Sequence, residues 1–308
     1  MDFQPTEEQR DLRAGVRNLL AGRYGREALR ASVESGVCVD RDLWRELGEA
    51  GFFALRLPEA EGGVGLGLPE AVLVFEEAGR ALVPGPLVAT HLAAGAVPGA
   101  AAGTAVVTAS DLDGSLVAHW GEADAVLGLP GFASTPAEPV RSADPLTPLH
   151  RVASAPMPGD HRDEGALLTA ALQVGSALRT LELAVRYAGE REQFGRPIGS
   201  FQAVKHLCAE MLVRAEVART AVYAAAVTGD PAETAAAKLL ADEAAVRNAR
   251  DCLQVHGGMG FTWEADVHLH LKRAWVRAEQ WRTAAEAEEL LAADLLEGAV
   301  QRVQRRPE

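Results

Sequence analysis

Apolar residues recur at helical spacing through the first third of the chain. Thr6 and Gln9 have the spacing of a capping box, and the apolar positions that follow lie three or four residues apart. Two further apolar groups, at 43–47 and 72–82, have the same helical spacing. Residues 1–97 are therefore predicted to form an N-terminal helical domain.

The pattern changes over residues 98–164. Short apolar runs in this segment, TAVVTAS, SLVAHW and DAVLGL, are separated by Gly, Asp and Pro, which is typical of strands. The runs are few and short, and several prolines interrupt the segment, so a large closed sheet is not expected. The sequence predicts a reduced middle β domain.

Long helices are predicted for residues 165–308. The first ends near Gly195, because a glycine followed by a proline is typical of a helix end. The second begins near Ser200, and the third spans Asp230 to His256, with an aspartate as its N-cap. A fourth is predicted at roughly 265–298. Four antiparallel helices with short connections form a bundle, so the predicted fold is mainly α.

Composition and charge narrow the range of functions. The chain has 30 Lys+Arg against 43 Asp+Glu, a formal net charge of −13. This charge argues against nucleic acid or an anionic membrane surface as a partner. No apolar run is long enough to span a membrane, and the polar start of the chain does not read as a signal peptide. Three cysteines are too few for a disulfide framework, so a reducing, cytoplasmic location is expected.

Two stretches carry most of the chemical information: REQFGRPIGSFQAVKHLCAEM at 191–211 and QVHGGMGFTWEADVHLHLKR at 254–273. Together they resemble the C-terminal helical bundle of the acyl-CoA dehydrogenases, in which an Arg-x-x-Phe-Gly turn precedes a Gln-x-x-Gly-Gly-x-Gly turn. The N-terminal segments MDFQPTEEQRDLR, LWRELGEAGFFALRLPEAEGGVGLG and VFEEAGRAL resemble that family's N-terminal helical domain. The resemblance therefore covers most of the chain and fails mainly in the middle.

The resemblance implies a FAD cofactor and residues that contact it. In the family, the bundle of one subunit contacts the flavin of its neighbour. By position, Arg191 would face the pyrophosphate, Phe194 would pack beside the nucleotide and Gln202 would add an amide contact. The adenosine half would be approached by the second turn, through Gln254, Gly257 and Gly258. The alternative is that these glycines simply end helices.

The catalytic base is displaced relative to the family. The family's reaction removes the α proton of an acyl-CoA thioester while hydride leaves the β carbon for the flavin. The usual glutamate position is occupied here by Trp281, and the position used by isovaleryl-type enzymes falls on Gly165. Glu164, one residue out of register, is the remaining candidate. The alternative is that Glu164 only complements the dipole of a helix N-terminus. No metal site is expected, because Cys252 and His256 lack further ligands and are expected to pack in the core.

The middle segment lacks the family motifs that hold the flavin ring and the thioester. This combination resembles the short subunits of heteromeric actinobacterial acyl-CoA dehydrogenases, several of which act on sterol-derived CoA thioesters. It implies a longer homologous partner in a heterotetramer, a base supplied by that partner, and an electron-transfer flavoprotein as electron acceptor. Two alternatives remain open: a non-catalytic assembly subunit, and a self-sufficient homo-oligomeric enzyme with a short acyl substrate.

Overall fold

The computed structural model describes residues 5–112, 114–155 and 158–304. Five helices form the N-terminal part: α1 (Glu7–Arg23), α2 (Arg26–Ser35), α3 (Arg41–Glu49), α4 (Leu68–Arg80) and α5 (Leu87–Leu92). The predicted capping box is present, because Thr6 accepts from the Gln9 backbone N–H and Gln9 accepts from that of Thr6. Helices α2 and α5 were not expected from the sequence. The short α5 is almost wholly buried and so lacks the amphipathic pattern that marks longer helices.

The middle segment contains five short strands in two small sheets. β1 (Val107–Ala109) pairs in parallel with β3 (Ala125–Leu127). A three-stranded antiparallel sheet has the order β2–β5–β4, formed by β2 (Leu116–Ala118), β4 (Ala137–Val140) and β5 (Leu149–Val152). The three apolar runs named above supply β1, β2 and β3. Within the described residues, neither sheet closes into a barrel, as the sequence predicts.

The C-terminal part is a bundle around α6 (Arg162–Glu190). The other long helices are α7 (Gln202–Thr228) and α8 (Pro231–His256), and a two-stranded hairpin of β6 (Glu192–Gln193) and β7 (Arg196–Pro197) links α6 to α7. α6 also packs closely on α4. Gly79 of α4 lies against the Leu172 backbone, and Gly175 of α6 lies against the Glu76 backbone, so the two helices meet with little side chain between them.

The predicted fourth helix is two helices. α9 (Val267–Glu279) ends before a turn at residues 280–283, and α10 (Ala284–Gln304) follows. Trp281 in that turn has a positive φ of 62°, which an α-helix cannot contain. Its backbone N–H donates to the Asp111 carbonyl at 2.5 Å, outside the helix. The prediction of a single helix at 265–298 was therefore wrong, because a hydrogen bond to the distant middle segment replaces helical hydrogen bonds at this turn.

Buried ion pairs join the N-terminal helices to the bundle. Glu76 and Glu77 of α4 are 2% and 1% exposed. Arg13 and Arg17 of α1 bind Glu77, and Arg219 of α7 binds Glu76 at 3.1 Å. The two carboxylates therefore lie in one ionic network that spans α1, α4 and α7. Among the described helices, none is long and apolar enough to cross a bilayer.

Candidate active site

The two positions that the resemblance assigns to a glutamate base lie against each other. Gly165 is in the first turns of α6, and the Trp281 indole packs directly on it. A side chain at position 165 would overlap the indole ring. Trp281 is 1% exposed and so fills this space from the other side. Neither position supplies a carboxylate, and the volume between them is occupied by an aromatic ring.

Glu164 lies beside this contact with its carboxylate already paired. It forms an ion pair with Arg56, and its second oxygen lies 3.8 Å from Nε2 of His91. The side chain is 25% exposed. Burial lowers the pKa of His91, so at neutral pH the guanidinium of Arg56 is the cation beside Glu164. A general base in this reaction needs a carboxylate free to accept a proton, and this ion pair opposes that role.

A second carboxyl group, which the sequence analysis missed, lies near Trp281. Asp111 is buried, its Oδ2 accepts from the Gln280 amide at 2.8 Å, and Oδ1 has no partner among the described residues. Burial raises the pKa of Asp111 to about 7. The only available signal was its place in TASDLDGSL, the segment where the family motif is lost. The burial of Asp111 cannot be read from that local sequence.

The cavity at this place is small. Its volume is ≈ 30 Å³, and Asp111, His119 and Trp281 are among the residues that line it, together with Arg273 and Arg277. This volume suits one or two water molecules. Ligand pockets measure about 300–1,000 Å³, so neither an acyl thioester nor a flavin ring fits here.

One group of possible metal ligands lies at the edge of the same region. The ligand atoms of Cys38, His119 and Glu122 lie within 4.8 Å of one another. Glu122 accepts hydrogen bonds from the backbone N–H groups of Cys38 and Val39, and its other oxygen lies 2.8 Å from Nδ1 of His119. Burial raises the pKa of the Cys38 thiol to about 12, so it is protonated. The hydrogen bonds of Glu122 explain why these three side chains lie close together. The expectation that the chain holds no metal stays a prediction.

The predicted cofactor residues lie at the opposite end of α6. Arg191 follows the last residue of that helix, and its side chain is exposed. The β6–β7 turn contains Phe194 and Gly195, both with positive φ, and Phe194 is 91% exposed. The Arg196 guanidinium lies 4.3 Å from the centre of the Phe201 ring. Two arginines and two aromatic rings are thus presented together at one surface.

The other two cofactor elements reach the same end. Gln202 is the first residue of α7, whose N-terminus has no side-chain cap among the described residues. α8 ends beside it, with Gln254 exposed and Gly257 at φ 57°, followed by Gly258. The Tyr187 and His256 rings stack 4.2 Å apart and join the ends of α6 and α8.

Glu164 and Arg191 are far apart. They are 191 − 164 = 27 residues apart, all but the last within α6 (Arg162–Glu190). At 1.5 Å per residue this separation is about 40 Å. The candidate base and the candidate pyrophosphate ligand of one chain therefore lie at opposite ends of the longest helix, and they face different sites.

Comparison with known proteins agrees with this architecture. Residues 6–110 match the acyl-CoA dehydrogenase N-terminal domain, and residues 163–305 match the acyl-CoA dehydrogenase C-terminal domain. The chain is 42% identical over 292 residues to acyl-CoA dehydrogenase IpdE2 of Mycobacterium tuberculosis, covering 88% of this chain and 92% of that protein. It is 36% identical to acyl-CoA dehydrogenase FadE34 of the same organism, over 84% of this chain and 45% of that longer protein.

Solved structures show the same fold. A variant of the Tcur3481-Tcur3483 steroid acyl-CoA dehydrogenase superposes with a TM-score of 0.83 at 26% identity, covering 96% of this chain and 99% of that chain. The ChsE4-ChsE5 complex from Mycobacterium tuberculosis gives 0.80 at 24% identity over 100% of both chains. The chain therefore belongs to the acyl-CoA dehydrogenase family, whose members are flavin-dependent oxidoreductases acting on acyl-CoA.

Proposed function

We propose that this chain is the subunit of a heteromeric FAD-dependent acyl-CoA dehydrogenase that completes a flavin site seated on a longer homologous partner. The reaction is α,β-desaturation of an acyl-CoA thioester. A sterol-derived acyl group is the proposed substrate class, since a structural relative is described as a steroid enzyme and the ChsE4-ChsE5 relative is a complex of two named chains.

The proposal rests mainly on one observation: an aromatic ring fills the place where the family carries its catalytic base. Trp281 and Gly165 pack against each other where the family carries its carboxylate. The adjacent cavity of ≈ 30 Å³ has no room for a thioester. Within the described residues this arrangement leaves no room for α-proton removal at the family position, and we infer that the base comes from the partner. Glu164, bound to Arg56, is then a structural residue.

The opposite end of α6 suits the phosphates of a dinucleotide. A helix N-terminus without a side-chain cap offers backbone N–H donors and a positive dipole, as α7 does here. Arg191 adds a guanidinium, and Gln202 adds an amide. Gly257 and Gly258 leave the backbone open to close approach, since a Cβ at either would meet nothing within 4 Å. These features fit a pyrophosphate and the adenosine beside it.

Each group has a separate role in this scheme. FAD, when bound, would supply the acceptor for the hydride of the β carbon. Arg191 and the α7 N-terminus would hold the negative charge of the pyrophosphate, Phe194 would pack beside the nucleotide, and Gln254 would position the adenosine half. An electron-transfer flavoprotein is the proposed electron acceptor. The chain thus binds and orients the cofactor while the partner removes the proton.

An apolar stripe on α7 supports association with another subunit. Leu212, Val213 and Val217 are 48%, 62% and 49% exposed. Val213 and Val217, together with residues of α8, line a groove of ≈ 500 Å³. Contiguous exposed apolar surface on a helical bundle is typical of a subunit interface.

The test is to purify the chain alone and co-expressed with a longer homologous subunit. We expect the chain alone to lack stoichiometric FAD and the complex to be yellow and active on acyl-CoA. Arg191→Ala should release flavin from the complex, whereas Glu164→Gln should keep both flavin and turnover. A panel of CoA thioesters from short-chain to steroid would then define the acyl group.

Each alternative gives a different result. A yellow, active homo-oligomer without any partner would contradict the proposal and support a self-sufficient enzyme. Unchanged flavin content in the Arg191→Ala complex would support an assembly subunit that does not touch the cofactor. Loss of turnover with flavin retained in Glu164→Gln would identify Glu164 as a working base.

A further inference from the structure

A groove lined by arginines lies where the N-terminal helices meet the bundle. It lies between α1, α2, α4, α6 and the start of α9 and has a volume of ≈ 600 Å³. Five arginines line it: Arg17, Arg26, Arg80, Arg179 and Arg186. Two carboxylates, Glu77 and Asp266, are among the described residues that line the same groove. In a chain of net charge −13, five arginines around one groove are a local excess of positive charge.

The carboxylates near the groove are each shared between two arginines. Glu77 binds Arg13 as well as Arg17. Asp266 binds Arg30 as well as Arg26.

A third shared carboxylate, Glu182, binds two of the lining arginines, Arg80 and Arg179. Arg186 pairs with no carboxylate within the described part of the chain. Internal ion pairing therefore leaves the groove positively charged.

A buried histidine, His270, lies in the same positively charged surroundings. His270 lines the groove, is 3% exposed, and its Nδ1 lies 2.8 Å from the Ser176 hydroxyl. Burial first, and then the nearby arginines, Arg179 foremost, together lower the pKa of His270 to about 3. His270 is thus neutral at physiological pH, and it adds no charge of its own to the groove.

The floor of the groove is apolar. Leu20, Leu29, Leu82 and Leu183 line it beside the arginines. A site that combines several guanidinium groups with an apolar floor suits a ligand with a phosphate at one end and a flat or apolar body at the other. A guanidinium can bind two phosphate oxygens at once, and a terminal phosphate offers three oxygens to several arginines where a carboxylate offers two. The volume lies within the range of small-molecule sites.

We propose that this arginine groove binds a small organic phosphate at a site distinct from the cofactor end of α6. A shallower depression of ≈ 220 Å³ continues from Arg186 to His256 at the cofactor end. The test must therefore keep the two sites apart. Saturating the complex with FAD achieves this, because it fills the proposed cofactor site before the titration begins.

The experiment is a calorimetric titration of ADP into the FAD-saturated complex of the chain and its partner. Arg186→Gln removes a groove arginine that forms no ion pair with any described residue, so the fold should not suffer. Arg141→Gln is the matched control: it makes the same charge change on an exposed loop of the middle segment. We expect Arg186→Gln to raise the Kd for ADP at least tenfold and Arg141→Gln to leave it within twofold. A second groove variant, Arg179→Gln, should behave like Arg186→Gln.

Three results would overturn the proposal. The wild-type complex could bind no ADP beyond the FAD site. The two variants Arg186→Gln and Arg141→Gln could weaken binding equally, which would indicate general charge attraction. A hexaglutamate peptide could bind more tightly than ADP with the same dependence on Arg186, which would assign the groove to an acidic protein segment instead.

Discussion

At the scale of single residues, the decisive substitution is an indole in the place of a carboxylate. Trp281 has a φ of 62°, a region that costs a bulky L-residue about 1–2 kcal/mol. The chain tolerates this cost because the ring is fully packed against Gly165 and its backbone N–H is bonded to Asp111. Burial of a large aromatic ring stabilises by more than this strain costs. The position has become part of the core.

Gly165→Ala tests this packing. A methyl group at position 165 would overlap the indole, so the ring must move or the helix must shift. We expect a loss of about 1–3 kcal/mol in the free energy of unfolding, measured by urea denaturation. Gly189→Ala is the matched control in the same helix, because a Cβ there meets nothing within 4 Å. It should be neutral or stabilising by up to about 1 kcal/mol. Equal effects of both variants would contradict the packing argument.

At the scale of elements, the β6–β7 hairpin has an unfavourable residue in its turn. Both central residues have positive φ, at 56° for Phe194 and 76° for Gly195, which is the geometry of a type I′ turn. Glycine adopts this conformation freely, but phenylalanine does not. The Phe194 ring is 91% exposed and gains little from the chain's own core. An exposed aromatic residue held in a strained conformation is consistent with contact to a cofactor or a partner.

Phe194→Asn separates the two roles of this residue. Asn-Gly is a favoured type I′ sequence, so the isolated chain should be as stable as wild type or up to about 1 kcal/mol more stable. The complex should nevertheless retain several-fold less flavin after gel filtration, because the ring that is proposed to pack beside the nucleotide is gone. Flavin content and thermal unfolding measure the two effects. Full flavin retention would remove Phe194 from the cofactor site.

Element boundaries were predicted well where local signals are strong. The Thr6 capping box and the Asp230 N-cap mark helix starts through hydrogen bonds within three residues, and both are present. The break at Trp281 was missed because its cause is a bond to Asp111, 170 residues away in sequence (281 − 111 = 170). α6 begins at Arg162 rather than at residue 165, a difference of the size expected for helix ends.

At the scale of the whole molecule, one buried carboxyl group should make the stability of the fold depend on pH. Asp111 has a pKa of about 7 in the folded chain, against about 3.9 when unfolded. The folded state therefore favours the protonated form. The stabilisation from protonated Asp111 is fully present below about pH 4, decreases as the pH rises, and is lost above about pH 7.

Asp111→Asn should remove this dependence. Between pH 5 and pH 8, the free energy of unfolding of wild type should fall by about 2–3 kcal/mol relative to the variant. Urea denaturation at pH 5, 6, 7 and 8 measures the difference. Parallel pH profiles for the two proteins would contradict a raised pKa at Asp111.

The sequence by itself determined the helical architecture, the reduced middle segment and the family, because these follow from local spacing and motif order. The cofactor residues are separated in sequence, but they gather at one end of the bundle because α6 and α7 share a hairpin and α8 packs beside them. The family resemblance anticipated that gathering, and the role of these residues toward FAD stays a prediction.

Only the tertiary structure decided the state of the carboxylates. Whether Glu164 is free, whether Asp111 is ionised, and whether Trp281 leaves room for a substrate depend on partners distant in sequence. Arg56, Gln280 and Gly165 are those partners. Burial and charge are set by the complete packing of the chain, and packing brings together residues that no local pattern connects. The same reason explains the arginine groove, whose charge is assembled from four separate segments of the chain.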